Sequence, residues 1–136
     1  MSYAVSAALQ AAVYQSLVGD SELATLTGGA IHDQMPPGPV DGTFVSLGPE
    51  TVRDRSDKTH SGAEHRLTVS VISDAAGFQT AKIAAGRIND ILVDATPALA
   101  RGRIVSLRFV SARARRVRAG QTRRIDLSFR AIVEDT

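Results

Sequence analysis

Between Gly62 and Ala95 the hydrophobic period of the chain changes once. Over Gly62–Ser73, Leu67, Val69 and Val71 alternate with Arg66, Thr68 and Ser70. Successive side chains of a strand point to opposite faces, so this alternation predicts a half-buried strand with one wet face. After Asp74-Ala75-Ala76-Gly77 the apolar residues Ala81, Ala84, Ala85, Ile88, Ile91, Leu92 and Ala95 fall at i, i+3, i+4, i+7 spacing, with Lys82, Arg87, Asn89 and Asp90 between them. That is the stripe of an amphipathic helix. A strand followed by a helix that can lie back on its apolar face makes a two-layer unit, and the other segments read as its completion.

The N-terminal segment Ser2–Val18 carries one apolar stripe (Val5, Ala8, Leu9, Ala12, Val13, Leu17) and predicts a helix, with Ser2 as N-cap and Gly19 past its end. Asp20-Ser21-Glu22 opens a second short helical turn that Gly28-Gly29 stops, and Ala30-Ile31-His32 reads as a short edge strand. Three prolines in Met35-Pro36-Pro37-Gly38-Pro39 exclude helix and predict a rigid surface connection. Thr43–Asp54 reads as a long strand with Val45 and Leu47 inward and a bend or bulge at Gly48-Pro49.

The polar run Arg53–Ser61 is expected to be an unusually long hairpin loop that orders against a partner. Beyond Thr96-Pro97, a strand with Val105, Leu107 and Phe109 inward leads through a basic connection, Arg113–Gly120, to a last strand. There Ile125, Leu127, Phe129, Ala131 and Val133 face inward. The sum predicts one α+β domain over residues 1–136, a four-stranded, mainly antiparallel sheet with two helices packed on one face. Its other face, with Arg66, Thr68, Ser70, Arg108, Asp126, Ser128 and Arg130, is expected to stay uncovered.

Totals narrow the function classes. The chain has no cysteine, which removes disulfides and thiolate metal sites. No apolar run approaches the ~20 residues of a membrane span, and the start lacks a secretory signal pattern, so no membrane partner is expected. The net charge of +2 hides an asymmetry: residues 1–100 carry 6 Lys/Arg against 11 Asp/Glu, net −5, and residues 101–136 carry 10 Arg against 3 Asp/Glu, net +7. A molecule with an acidic and a basic part can dock head-to-tail on copies of itself or on a charged partner.

Signs of chemistry are sparse. His60 and His65 with Glu64 and Asp57 lack the fixed spacing of a metal site and read as surface polar residues. His32-Asp33 has no serine on a strand-to-helix elbow to serve, and the glycines form no phosphate-binding pattern. No catalytic, cofactor-binding or metal residues are predicted. Arg113, Arg115, Arg116, Arg118, Arg123 and Arg124 can contact phosphates, yet no aromatic residues interleave with them to stack on bases.

With the segments in order, the chain resembles the tail-terminator or tail-completion proteins of long-tailed phages, prophages and gene transfer agents. The likeness rests on the helix Ala7-Ala8-Leu9-Gln10-Ala11-Ala12-Val13, on Leu23-Ala24-Thr25-Leu26 before Gly28-Gly29, and on the Met35–Gly38 turn. It rests most on Leu47-Gly48-Pro49-Glu50-Thr51-Val52-Arg53-Asp54 followed by Gly62–Val71 and the Ala-rich helix, and it spans nearly the whole chain.

The resemblance implies a non-enzymatic virion protein, assembled in the bacterial cytoplasm. Such a protein forms a ring, usually a hexamer, at the head-proximal end of the tail tube. The ring ends tube polymerisation and offers a docking surface for the neck. Implied partners are copies of itself, the tail tube protein, the head–tail connector and DNA passing without sequence specificity. A connector ring (adaptor or head-closure) and a small DNA-binding module using the Arg113–Arg124 hairpin are the alternatives. The loop residues Arg53, Asp54, Arg55, Asp57, Lys58 and His60 are expected to meet the tube or a neighbouring subunit. The arginines of the basic hairpin are expected at a ring face or the lumen.

Overall fold

A computed structural model describes residues 2–33, 41–117 and 121–135. A 3-10 turn (Ser2–Val5) leads into helix α1 (Ser6–Val18), followed by α2 (Ser21–Thr27), β1 (Ile31–His32), β2 (Thr43–Asp54), β3 (Ser61–Ser73), α3 (Gln79–Leu92), β4 (Arg103–Val117) and β5 (Thr122–Asp135). The architecture is α+β. The sheet has five strands in the order β1-β2-β3-β5-β4 rather than four, because the two residues of β1 pair parallel to β2 through Ile31–Val45 and His32–Ser46. The other neighbours are antiparallel. Three α-helices, not two, are present among the described residues. The turn after Asp20 is a full helix, capped by the Asp20 side chain and ended by Gly28 at φ 63°.

The core forms between the helices and one face of the sheet. Val5, Leu9, Val13 and Leu17 recur at helical spacing and are buried, as are Ala81, Ala84, Ala85, Ile88 and Leu92 of α3. They meet Val45, Leu47, Val69 and Val71 and the whole inward set of β5, Ile125, Leu127, Phe129, Ala131 and Val133. Phe129, fully buried, contributes about 2–3 kcal/mol of transfer free energy. The N-cap of α1 is Val5, with no side-chain cap, because the 3-10 turn precedes the helix where Ser2 had been expected to start it.

Bulges decide which side chains enter this core. Register shifts between Leu47 and Glu50, at Gly48-Pro49, as the sequence predicts. Strand β4 shifts twice, between Ile104 and Ser106 and between Phe109 and Ser111. Each bulge inserts one residue and reverses the alternation. Val105 is therefore exposed instead of inward, and Ile104 and Leu107 fill the core.

The opposite face also differs from expectation. Phe44 and Ile72, cross-strand partners on that face, are buried, as are Ser46 and Ser70, so this face is not wholly polar and wet. The Pro-rich connection at 35–39 lies outside the described residues.

Candidate assembly surface

Arginine and alanine alternate through Arg113-Ala114-Arg115, and β4 runs on to Val117. These residues are strand, not a loop. Pairing with β5 in the register Arg113–Asp126, Ala114–Ile125, Arg115–Arg124 and Arg116–Arg123 fixes where each points. Arg113, Arg115 and Arg124 share the face of Asp126, away from the helices. Arg116 and Arg123 lie on the helix face with Ile125. The pleat thus splits the predicted basic cluster between two faces. Arg118 lies outside the described residues.

On the outer face Asp126 is a hub. It accepts from Ser70 Oγ at 2.6 Å and from Arg124 Nε at 2.9 Å, with Arg115 at 3.4 Å. Partial burial opposes the charge of its carboxyl, but the Ser70 and Arg124 hydrogen bonds and the nearby arginines leave the pKa below the usual value. Glu64 is a second hub, bonded by Arg130 at 2.8 Å and flanked by Arg66 and Arg55. The Arg130 bond is the main cause of its lowered pKa.

On the helix face, the Arg123 guanidinium stacks over the Phe78 ring at 5.5 Å and donates to the Ala76 carbonyl at 2.7 Å. Arg108, Arg113 and Arg116 make no ion pair with a carboxylate among the described residues. They line the β4 edge beside the exposed side chains of Val105, Phe109 and Val110. The outermost strand is therefore basic and apolar together.

The turn between β2 and β3 is shorter than the polar run suggested, because both strands extend into it and leave Arg55–His60. It has its own bonding. Asp57 Oδ1 accepts from the backbone of Thr59 at 2.9 Å and of His60 at 2.7 Å, and these bonds, that of Thr59 first, lower its pKa. Asp57 N–H donates to the His60 carbonyl, and Arg55 N–H to that of Gly62. The expectation that this segment orders only against a partner meets a turn that is already hydrogen-bonded within the chain. The predicted residues Arg53, Asp54, Arg55, Asp57, Lys58 and His60 cluster at this one end of the sheet and are all exposed.

One buried polar cluster escaped the sequence reading. His65 is fully buried, not a surface residue, and its Nδ1 lies 3.3 Å from Glu50 Oε2. Glu50 Oε1 accepts from Ser6 Oγ at 2.5 Å. Here the carboxylate sits between the serine and the histidine, so the imidazole cannot act on the hydroxyl as it does in a nucleophilic triad. The cluster ties the start of α1 to β2 and β3. Among the described residues no group of three His, Cys, Asp or Glu side chains converges to hold a metal ion, and no helix is long and apolar enough to cross a membrane.

The opposite sheet edge is concave. A groove of about 680 Å³ between α1 and β1 is lined by Ala7, Gln10, Ala11, Tyr14, Gln15, Ile31, His32 and Asp33. The chain therefore presents an arginine-rich edge strand at one side of the sheet and a groove with one carboxylate, Asp33, at the other. Residues 11–134 match the model of a family described as tail completion protein gp17. The chain belongs to that family. This member of the tail completion family is also 60% identical to a chain in the solved virion of a native gene transfer agent particle, with a TM-score of 0.91 over 98% of this chain and 99% of that one. No curated protein matches it.

Proposed function

We propose that this chain forms a ring on the head-proximal end of a tail tube, ends tube polymerisation there and provides the surface to which the neck docks. It is a structural tail protein of a virion, and the observation that carries this is its family membership together with near full-length similarity to a chain of a gene transfer agent particle. Tube termination and the ring are the finer reading. The charge asymmetry of the chain, net −5 over residues 1–100 and net +7 over residues 101–136, supports it, since repeated head-to-tail contact between unlike surfaces closes rings. DNA passes through such a ring without being read, and the arginines nearest the lumen feel its phosphate field. The Arg55–His60 turn, exposed and already built, is placed against the tube or a neighbour.

Electron microscopy of particles made without this chain tests the reading. Overlong tails without heads are the expected result, because growth is no longer capped. Tails of normal length beside filled, tailless heads would move the protein to the connector class. Intact particles would remove it from assembly.

A further inference from the structure

We infer that the outer face of the sheet, where β3, β5 and β4 lie side by side away from the helices, is the surface that meets duplex DNA, through its phosphate backbone. This rests on the ring reading above for its place in the particle: the sheet turns to the channel and the helices turn away from it.

The register aligns the arginines of that face into rows. Arg66 pairs with Arg130, and Arg130 with Arg108, so three arginines stand side by side on adjacent strands, across about 10 Å. Like charges directly opposite one another cost stability, and the fold sets only Glu64 against them. That carboxylate is shared by Arg130 at 2.8 Å, Arg66 at 3.3 Å and Arg55 at 3.6 Å. Arg108 is exposed and makes no ion pair among the described residues. At the other end of the face, three steps of about 7 Å along the strands, Arg124 pairs with Arg115. Asp126 serves both of them, and Arg113 stands across from it, exposed and without an ion pair among the described residues. Each carboxylate thus orients more guanidinium groups than it can neutralise, and the face keeps a surplus of positive charge.

Between the two groups runs a row of hydroxyls, Thr68, Ser128 and Ser111. From Arg66 to Ser70 on β3, Arg124 to Arg130 on β5 and Arg108 to Arg115 on β4, every residue paired on this face is Arg, Asp, Ser or Thr. A protein partner would need an apolar core to its contact, which these positions do not offer. Arginine, serine and threonine are instead side chains that hold phosphate oxygens without reading sequence. No aromatic ring stands among them to stack on an unpaired base, which favours a duplex over a single strand. Over the ~20 Å between the outer rows a duplex presents roughly twelve phosphates, several of them on the near side.

Binding of the full chain to a short duplex, followed by fluorescence anisotropy against salt, tests the face in solution. Arg108→Ala and Arg113→Ala should each weaken binding alike on duplexes of different sequence and lower the salt slope by about one. Arg116→Ala, at an exposed position on the helix face of the same strand, should leave the slope as it is. Equal losses from all three would mean diffuse charge rather than a face and would overturn the inference. A chain that binds no DNA would overturn it too, and its capture of a poly-glutamate peptide would mark the face as a site for an acidic protein.

The particle gives a second readout, made clean by the absence of cysteine. Ser111 lies on the outer face and Ala112 next to it on the helix face, both exposed. Carrying an azide photo-cross-linker and irradiated during DNA release, Ser111→Cys should attach to DNA at least tenfold more than Ala112→Cys. Attachment of Ser111→Cys to protein alone, or of Ala112→Cys to DNA instead, would overturn the inference and leave the ring standing. Particles in which glutaraldehyde traps no oligomer of this chain would remove the ring reading, and the salt slopes would still decide whether the face meets DNA.

Discussion

Glu50 reaches His65 across two strands because the Gly48-Pro49 bulge turns Glu50 toward the helices. Without that extra residue the alternation would put the carboxylate on the outer face. As folded, Glu50 satisfies Ser6 Oγ and His65 Nδ1 together. Glu50→Ala leaves both without it in a buried setting, and a cost of about 2 kcal/mol in urea unfolding is expected. A double-mutant cycle with His65→Leu should show coupling of about 1 kcal/mol. Strict additivity would mean that the two groups do not interact.

Asp20 links two helices. It caps α2 by accepting from Leu23 N–H at 2.9 Å and holds the Arg87 guanidinium of α3 through two bonds, at 2.6 and 2.9 Å. The Arg87 hydrogen bond, against some desolvation and with help from the Leu23 amide, lowers its pKa to about 2. A carboxylate with a depressed folded pKa stabilises fully above its unfolded value, about 3.9, and loses that contribution as pH falls through the folded one. Acid unfolding of the parent protein should therefore steepen between about pH 4 and 2, and Asp20→Asn, which still caps, should flatten that limb. Asp20→Ala should in addition lower the stability at neutral pH by roughly 1–2 kcal/mol.

Two glycines give opposite signs. Gly102 has φ 75°, and a Cβ there would meet the Glu134 carbonyl oxygen at 2.5 Å and Val5 at 3.1 Å. Gly102→Ala should cost roughly 2–4 kcal/mol. Gly86, within α3, has nothing within 4 Å of its Cβ position, so Gly86→Ala should gain up to about 1 kcal/mol. Thermal unfolding of both variants measures the contrast.

The arginines of the hairpin should separate by role. Arg124→Glu places a carboxylate beside Asp126 and removes its 2.9 Å partner, so the melting temperature should fall by several degrees. Arg116→Glu, on the helix face opposite Arg123, should leave it within about 0.5 kcal/mol of the parent, whereas Arg113→Glu would face Asp126 across the strands and should also destabilise. Equal effects of Arg124→Glu and Arg116→Glu would mean that the pleat does not divide them.

Replacing Arg55–His60 with a short Gly-rich turn removes the Asp57 hydrogen bonds but no core side chain. The fold should persist by circular dichroism while particles lose their heads. Normal particles from this variant would show that the turn meets neither tube nor neighbour.

Much of this was legible in the sequence. The inward set of β5 and the stripe of α3 follow from unbroken periodicity, and Gly48-Pro49 announces the bulge within β2. The bulges at Val105 and Val110 carry no glycine or proline, so the alternation read through β4 sets Leu107 and Phe109 on the helix face but misplaces Val105. Arg113–Arg116 looks like a polar connection because its strand state comes from pairing with β5, not from its own pattern. β1 is two residues long and has no period to read. His65 is in phase with Leu67, Val69 and Val71, so its inward side could be read from the strand; that Glu50 meets it there depends on the bulge in β2, and no local rule reports that. The site was harder still: which arginines of β4 share a face with Asp126 follows only from the register with β5.

The most direct measurement of the central claim is the position of this chain in intact particles, by electron microscopy with a gold-labelled tag on its N-terminus. The account predicts label at the junction of tail and head, on every tailed particle, and on the capped end of free tails. Label along the tube or at the distal tip would contradict it.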